Sequence, residues 1–512
     1  GQGGGYSQVA LDDYPGVELV PDSAGATSGQ EPACPPGARG ALLSASALDT
    51  AVTFRWLWPL VRASAAAAAA AAPSAGWADL QSAAAATPTG ARLAGEDAAI
   101  AAGEGPPSSR ATLRLFGHAE ADVRVVLYRD HAAWCPYCQK VWLQLEEKRV
   151  PYRVEKINMR SYGDKPDWFL QKVPGGLLPA VEIDGKLLTE SLVIMQVIES
   201  TFASFGPPML PSDDAGVGRA NELLQLERQL FGAWCGLVFR PSMPGPLGAG
   251  PKKAFEACLD KVEEALGESP GPWLLDGEHP TVVDLQYVSH VERMNASVLY
   301  WKGINMRGGA RWPRLERWLD AFEQRPAYQA SKSDYYTHVM DIPPQYGPGF
   351  EDGSREASEA RELISGKSWR LPLALGPAGL EPLTPHMDKG EEAARHEAAY
   401  RLAGNAAAIT RFAARGAGRP GRKQFGAPLA DPYATPDDAI QPAVDELLRG
   451  VACALLTGDA SEAAAPAAGV KNKAAARECL AYLRDRVGVP RDMPLAPAMH
   501  LRAYLNAAID AL

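Results

Sequence analysis

The apolar and polar positions change period repeatedly along the chain. Residues 123–128 (VRVVLY) form an apolar run that reads as a buried strand, and 139–148 (QKVWLQLEEK) place apolar residues at helical spacing among good helix formers. Residues 152–157 alternate like a strand, and 167–172 suit a short helix. Strands at 180–183 and 186–188 flank an Asp184-Gly185 hairpin turn, and Thr189-Glu190-Ser191 opens a helix over 192–199. The order β-α-β-α-β-β-α predicts an α/β unit at 111–205. A Pro-rich linker (GPPMLPS) follows, and then the period is helical throughout. Leu223, Leu226, Leu230, Trp234 and Leu237 lie on one face of a long helix at 219–239. Further helices are expected at 252–266, at 312–324, and from a capping-box-like Thr281-Val282-Val283-Asp284 to residue 300, giving an all-helical unit at 206–345. The pattern breaks at PPQYGPGFEDG from Pro343 and resumes over 391–415, 439–457, 474–487 and 497–512. This helical extension, 346–512, carries Leu480, Leu483 and Val487 on one face. Such faces must be buried, and the helices at 219–324 are the nearest candidate partner.

Residues 1–110 show no such period. They contain no lysine, an uninterrupted alanine run at 65–72, and many Gly, Ser and Pro residues. A low-complexity leader is expected, unable to offset its ordering entropy and dispensable for stability, with local helix at the alanine run. Organelle targeting fits the arginines of 41–72 but not Asp12, Asp13, Glu18 and Asp22. The chain opens on Gly1, so further sequence is expected upstream.

The 512 residues are enough for about three or four domains. A net charge of −10 argues against a nucleic-acid partner, and no apolar stretch reaches the ~18 residues of a membrane span. Seven cysteines in so long a chain are no disulfide framework and point to a reducing compartment.

The chemistry concentrates at Trp134-Cys135-Pro136-Tyr137-Cys138, between the first strand and the first helix of the α/β unit. Strand, loop, Cys-x-x-Cys, helix is a redox arrangement. Unpaired N–H groups and the positive end of the helix dipole stabilise a thiolate at Cys135. Cys138 lies one turn on, and Pro136 occupies a first turn that needs no N–H. The alternative is zinc, but one such pair supplies two of four ligands, and Cys34, Cys235, Cys258, Cys453 and Cys479 contain no second close pair. No metal is expected.

With Lys165-Pro166-Asp167-Trp168-Phe169, Leu177-Leu178-Pro179 and Glu190-Ser191 in order, this unit resembles the glutathione-binding domain of glutathione transferases, closest to the cysteine-type omega and glutaredoxin-like members. AWCPYCQKVW (133–142), VERMNAS (291–297) and YLRDRVGVPRDMP (482–494) resemble a plant, algal and cyanobacterial transferase-like family with a helical C-terminal extension, often plastid-directed. The resemblance implies a thioredoxin-like domain followed by the transferase helical domain. It makes Cys135 the catalytic thiol, with Cys138 as a possible internal resolver. Tyr137 and Lys165 would flank glutathione, the co-substrate. Leu178, before a cis Pro179, would pair with its cysteinyl backbone, and Glu190 and Ser191 would hold its γ-glutamyl end. Charge supports these roles independently: Lys165 suits a carboxylate, Glu190 an ammonium, and Ser191 at a helix start the other carboxylate. Taken singly, each could be only a surface lysine or a helix cap.

The expected function is glutathione-dependent thiol–disulfide exchange on a glutathionylated protein or small disulfide. Dehydroascorbate reduction and glutathione conjugation are alternative activities. A rival of another class is a glutathione-binding interaction module whose extension meets a protein partner. The expected location is a plastid, otherwise the cytoplasm. Trp234, Tyr287, Tyr300 and Trp301 are candidates for an acceptor pocket beside Cys135.

Overall fold

The computed structural model describes residues 75–241, 249–376, 379–383, 389–421 and 427–512. The alanine run, Cys34 and the leader up to residue 74 lie outside them.

A five-stranded mixed sheet in the order β1-β3-β2-β4-β5 carries the first unit. Its strands are β1 (Leu113–Arg114), β2 (Val125–Asp130), β3 (Tyr152–Ile157), β4 (Ala180–Ile183) and β5 (Lys186–Leu188). β2 is central, parallel to β3 with Leu127 opposite Val154, and antiparallel to β4 with Leu127 opposite Val181. Both its faces are covered, which explains the near-continuous apolar run. β1, a two-residue edge strand, is too short for its pattern to have been seen in the sequence.

Helix α3 (Pro136–Lys148) crosses from β2 to β3 and ends at Arg149 in the left-handed region. The short α4 (Asp167–Lys172) and then α5 (Ser191–Thr201) complete the thioredoxin-like unit. The transferase-type helical unit comprises α6 (Asp214–Val238), α7 (Ala249–Ala265), α8 (Val282–Lys302), α9 (Pro313–Glu323), α10 (Pro326–Ser331) and α11 (Tyr335–Tyr346). α8 starts on the expected cap: Asp284 Oδ2 accepts from the Thr281 backbone N–H and hydroxyl, both at 2.8 Å. The sequence break expected at Pro343 does not end a helix. Pro343 and Pro344 lie in the last turn of α11, where Tyr346 stacks on Phe239 at 5.7 Å and meets Trp234 edge-on at 5.2 Å. Those ring contacts hold a turn that lacks two N–H donors.

α12 (Arg355–Glu362) leads to the extension, which consists of α13 (Glu391–Gly404), α14 (Ala406–Ala413), α15 (Gln441–Thr457), α16 (Ala460–Ala464), α17 (Lys473–Arg484) and α18 (Leu495–Ala511). The single helix expected over 391–415 is two, broken at Asn405. Leu480, Leu483 and Val487 are buried as expected, but not chiefly against 219–324. They join a second hydrophobic core formed by the extension's own helices. A bundle of this size covers its own apolar faces and needs the transferase unit only along one seam. There Leu495, Met499 and Trp369 enter the larger core, and Arg502 donates to Asp334 at 2.6 Å with neither side chain exposed.

The leader expectation fails from residue 75 onward. Helices α1 (Trp77–Ala86) and α2 (Pro88–Ala101) pack on α13 and α15. Trp77 Nε1 donates to Asp445 at 2.7 Å and Gln81 to the Ala403 carbonyl at 2.7 Å, while Leu80, Leu93 and Ile100 are buried. Gly90 permits the corner between the two helices, because a Cβ there would lie 2.0 Å from the Ala84 carbonyl oxygen. Alanine-rich composition concealed two short helices that are stable only against a partner. Leu80→Ala should therefore cost about 2–5 kcal/mol in a denaturant titration. An unchanged midpoint would refute this account of the packing.

Candidate functional site

The site begins where β2 delivers the chain to α3. Cys135 is the residue before the helix, with Pro136 in its first turn. Its half-buried sulfur lies 3.9 Å from the Leu178 carbonyl oxygen, and the Leu178–Pro179 peptide is cis. Lys165 Nζ donates to the Gly176 carbonyl of the same loop. Glu190 is exposed immediately before α5 at φ +66°, and Ser191 is that helix's first residue. Tyr137 sits edge-on to His290 with ring centroids 5.4 Å apart, and burial pushes its hydroxyl up from the ordinary value.

Cys138 is fully covered. Burial, reinforced by hydrogen bonding and charge from Cys135, pushes its thiol well above the ordinary value. Asp130, at the end of β2, puts a carboxylate within 4.8 Å of both sulfurs and accepts the Trp134 N–H at 2.6 Å.

The aromatic residues read as pocket candidates are mostly core. Trp234 donates to Ser297 at 2.8 Å, Tyr287 donates to the Leu223 carbonyl at 2.6 Å, and both are buried with Trp301. Tyr300 is half-buried and pairs with Ser365 at 3.1 Å. Trp234 and Tyr287 bridge α6 and α8 through these hydrogen bonds.

The sequence pattern missed a set of buried polar residues behind Cys135. Trp134 Nε1 donates to His338 Nδ1 at 3.1 Å. An indole nitrogen can only donate, so the proton of His338 is on Nε2, which donates to Glu292 at 2.9 Å. The imidazole is neutral, and burial lowers its tendency to protonate. Glu292 also accepts from Gln139 at 2.9 Å and from the Ser333 N–H at 2.8 Å. Burial works against its charge, yet the His338 hydrogen bond, the Arg293 guanidinium and the Ser333 N–H hold it at about 2. Arg293 donates to Gln139 at 2.8 Å and to the Trp134 carbonyl. The VERMNAS segment thus grips Trp134, the residue before Cys135. A second pair lies beside it: His290 Nδ1 and Glu227 at 2.7 Å, with Arg228 donating to the same carboxylate at 2.7 and 2.8 Å.

Lys140, one turn beyond Cys135, is 1 % exposed and donates to Gln286 at 2.7 Å. Its ammonium lies 4.9 Å from the Tyr137 ring centroid. Burial lowers it to about 7, with the Arg228 guanidinium acting the same way and the carboxylates of Glu227 and Glu190 opposing it. The helical pattern gave no signal for this, since lysine on an expected helix reads as exposed.

Comparison with known proteins decides the family. Family models for the glutathione S-transferase N-terminal and C-terminal domains match residues 134–201 and 252–321. Glutathione S-transferase DHAR2 of Arabidopsis thaliana is 33% identical over 170 residues, 33% of this chain and 70% of that protein. The chain belongs to the glutathione S-transferase family. Other relatives of this transferase include Protein IN2-1 homolog A of Oryza sativa subsp. japonica, 29% identical over 256 residues (49% of this chain, 93% of that one). The chloroplastic Glutathione S-transferase DHAR3 of Arabidopsis thaliana is 41% identical over 169 residues, 33% of this chain and 58% of that protein.

The lysine supplies a pH test. An ordinary lysine titrates near 10.4 and Lys140 near 7, so between these values the unfolded chain binds more protons. Stability should therefore rise with pH across that window, the cost of charging Lys140 being complete below it. Lys140→Met should flatten this rise and be the more stable protein below pH 7. Parallel melting profiles against pH would contradict the assignment.

Proposed function

We propose that this transferase is a glutathione-dependent thiol–disulfide oxidoreductase acting on glutathionylated proteins or small disulfides. One observation carries the reading: a half-exposed Cys135 at a helix start, beside the Leu178 carbonyl and ahead of a covered, protonated Cys138. The Cys135 thiolate attacks the glutathione sulfur of a mixed disulfide, forming Cys135–S–S–glutathione and releasing the acceptor as its thiolate. A second glutathione thiolate then attacks that glutathione sulfur, giving oxidised glutathione and regenerating Cys135. Lys165 and Ser191 would take the carboxylates, Glu190 the ammonium, Leu178 the peptide backbone, and Tyr137 and Pro179 the walls. Cys138 is a poor internal resolver, since its sulfur is covered and held protonated. Dehydroascorbate would be reduced by the same thiol, and comparing the two turnover rates ranks the acceptors. A plastid location is supported by the chloroplastic relative.

Cys135→Ser should abolish turnover, because a hydroxyl is a far weaker nucleophile at neutral pH. Cys138→Ser should retain most of it. Mass spectrometry after incubation with oxidised glutathione should place the adduct on Cys135. Equal inactivation of both variants would sink the single-thiol scheme, and bound glutathione without turnover would favour an interaction module.

Glu190→Gln should raise KM for glutathione about ten- to a hundredfold, the range of a charge-assisted contact, with a smaller effect on kcat. An unchanged KM would reduce Glu190 to a helix start.

A further inference from the structure

The extension and the transferase unit enclose a cleft of about 170 Å³ that contains none of the residues assigned to glutathione. One wall comes from the loop ahead of Cys135, at His131 and Ala132, and from α11 at Tyr336 and Met340. The other is built by the extension, through Phe412, Arg415, Tyr482 and Arg486. An apolar cavity of about 150 Å³ is enough to hold a benzene ring.

The charges in this cleft are unevenly compensated. Arg491 is held by Asp492 at 2.7 and 2.9 Å, and Asp485 by Arg484 at 2.8 Å. Asp431 accepts the Gly421 N–H at 2.9 Å, and Asp341 accepts the Tyr162 hydroxyl. Among the described residues Arg486 donates only to the Leu429 and Tyr482 carbonyls, at 2.8 and 3.2 Å, and it stacks 3.5 Å from the Tyr482 ring centroid. Arg415 lies 5.2 Å from the Phe412 ring centroid. Among the described residues neither guanidinium has a carboxylate partner. His131 Nδ1 is buried there without a hydrogen bond among the described residues. Burial raises Asp341 to about 7, which reduces the negative charge facing an incoming anion.

We propose that this cleft binds a small aromatic carboxylate, with its ring among Tyr336, Met340 and Phe412 and its anion on Arg415 and Arg486. The chemistry follows from the lining: ring-sized space, apolar and aromatic walls, and two guanidiniums that present planar donors not paired with a carboxylate among the described residues. The occupant would also touch the loop that carries Cys135.

The probes are benzoate and its neutral analogue benzamide, added to the full chain in saturating glutathione so that the Cys135 region is occupied. Benzoate at millimolar concentration should raise the Tm, and benzamide should not. Arg415→Gln should weaken benzoate about tenfold or more while glutathione turnover is retained. Met340→Trp, which fills the cleft, should abolish the shift even if the arginine variant folds poorly. The proposal is overturned by no shift in the wild type, by an equal shift with benzamide, or by full binding in both variants. Adduct formation on Cys135, measured separately, tells such a failure apart from failure of the thiol mechanism.

Discussion

The carboxylate of Glu292 is the constraint around which the Cys135 half of the molecule is built. An ionised acid this deep is tolerable only when several donors meet it. Those donors come from three separate places: Gln139 on α3, the Ser333 backbone N–H, and His338 on α11. His338 passes the constraint on, because its remaining nitrogen can only accept, and it accepts from Trp134. The residue before the thiol is thereby fixed from below by its indole and from the side by Arg293 on its carbonyl. The Cys135 loop depends for its position on a helix more than 150 residues later.

The same logic explains α3 and α8. Both are covered on nearly every side, yet both carry charged and amide side chains. These residues join elements in place of water: Lys148 pairs with Glu199 at 3.0 Å, Arg114 with Glu146 at 2.8 Å, and Gln144 with the Met195 carbonyl at 2.9 Å. Removing one partner of either ion pair costs about 3–5 kcal/mol, because the other charge is left stranded. This specifies the register between sheet and helices more sharply than apolar packing does.

The extension follows the opposite design. Its core is largely alanine, leucine and valine and largely its own, and α1 and α2 close it from the N-terminal side. It meets the transferase unit along α11, where Arg502 joins Asp334, spans the rings of Tyr336 and Trp369 at 4.9 and 4.8 Å, and donates to the Val487 carbonyl at 2.7 Å. One guanidinium thus ties two hydrophobic cores together, and the cleft with Arg415 and Arg486 lies beside that seam.

Local rules were enough for much of this in the sequence. Period and turn chemistry determined β2 through α5 and the four long helices from α6 to α9. The Cys-x-x-Cys motif determined that Cys135 stands at the strand-to-helix junction. What tertiary structure decided was everything that depends on a distant partner. Composition alone made residues 75–110 a leader, because Leu80 and Leu93 become core only against α13 and α15. Pro343 read as a break because the rings that hold its turn come from α6. Lys140, Gln139, Glu292 and His338 read as ordinary polar residues, since nothing within a helical turn of each shows that another element will bury it. Periodicity records which face of an element avoids water. It does not record which charges that face will meet, and here those charges position the thiol.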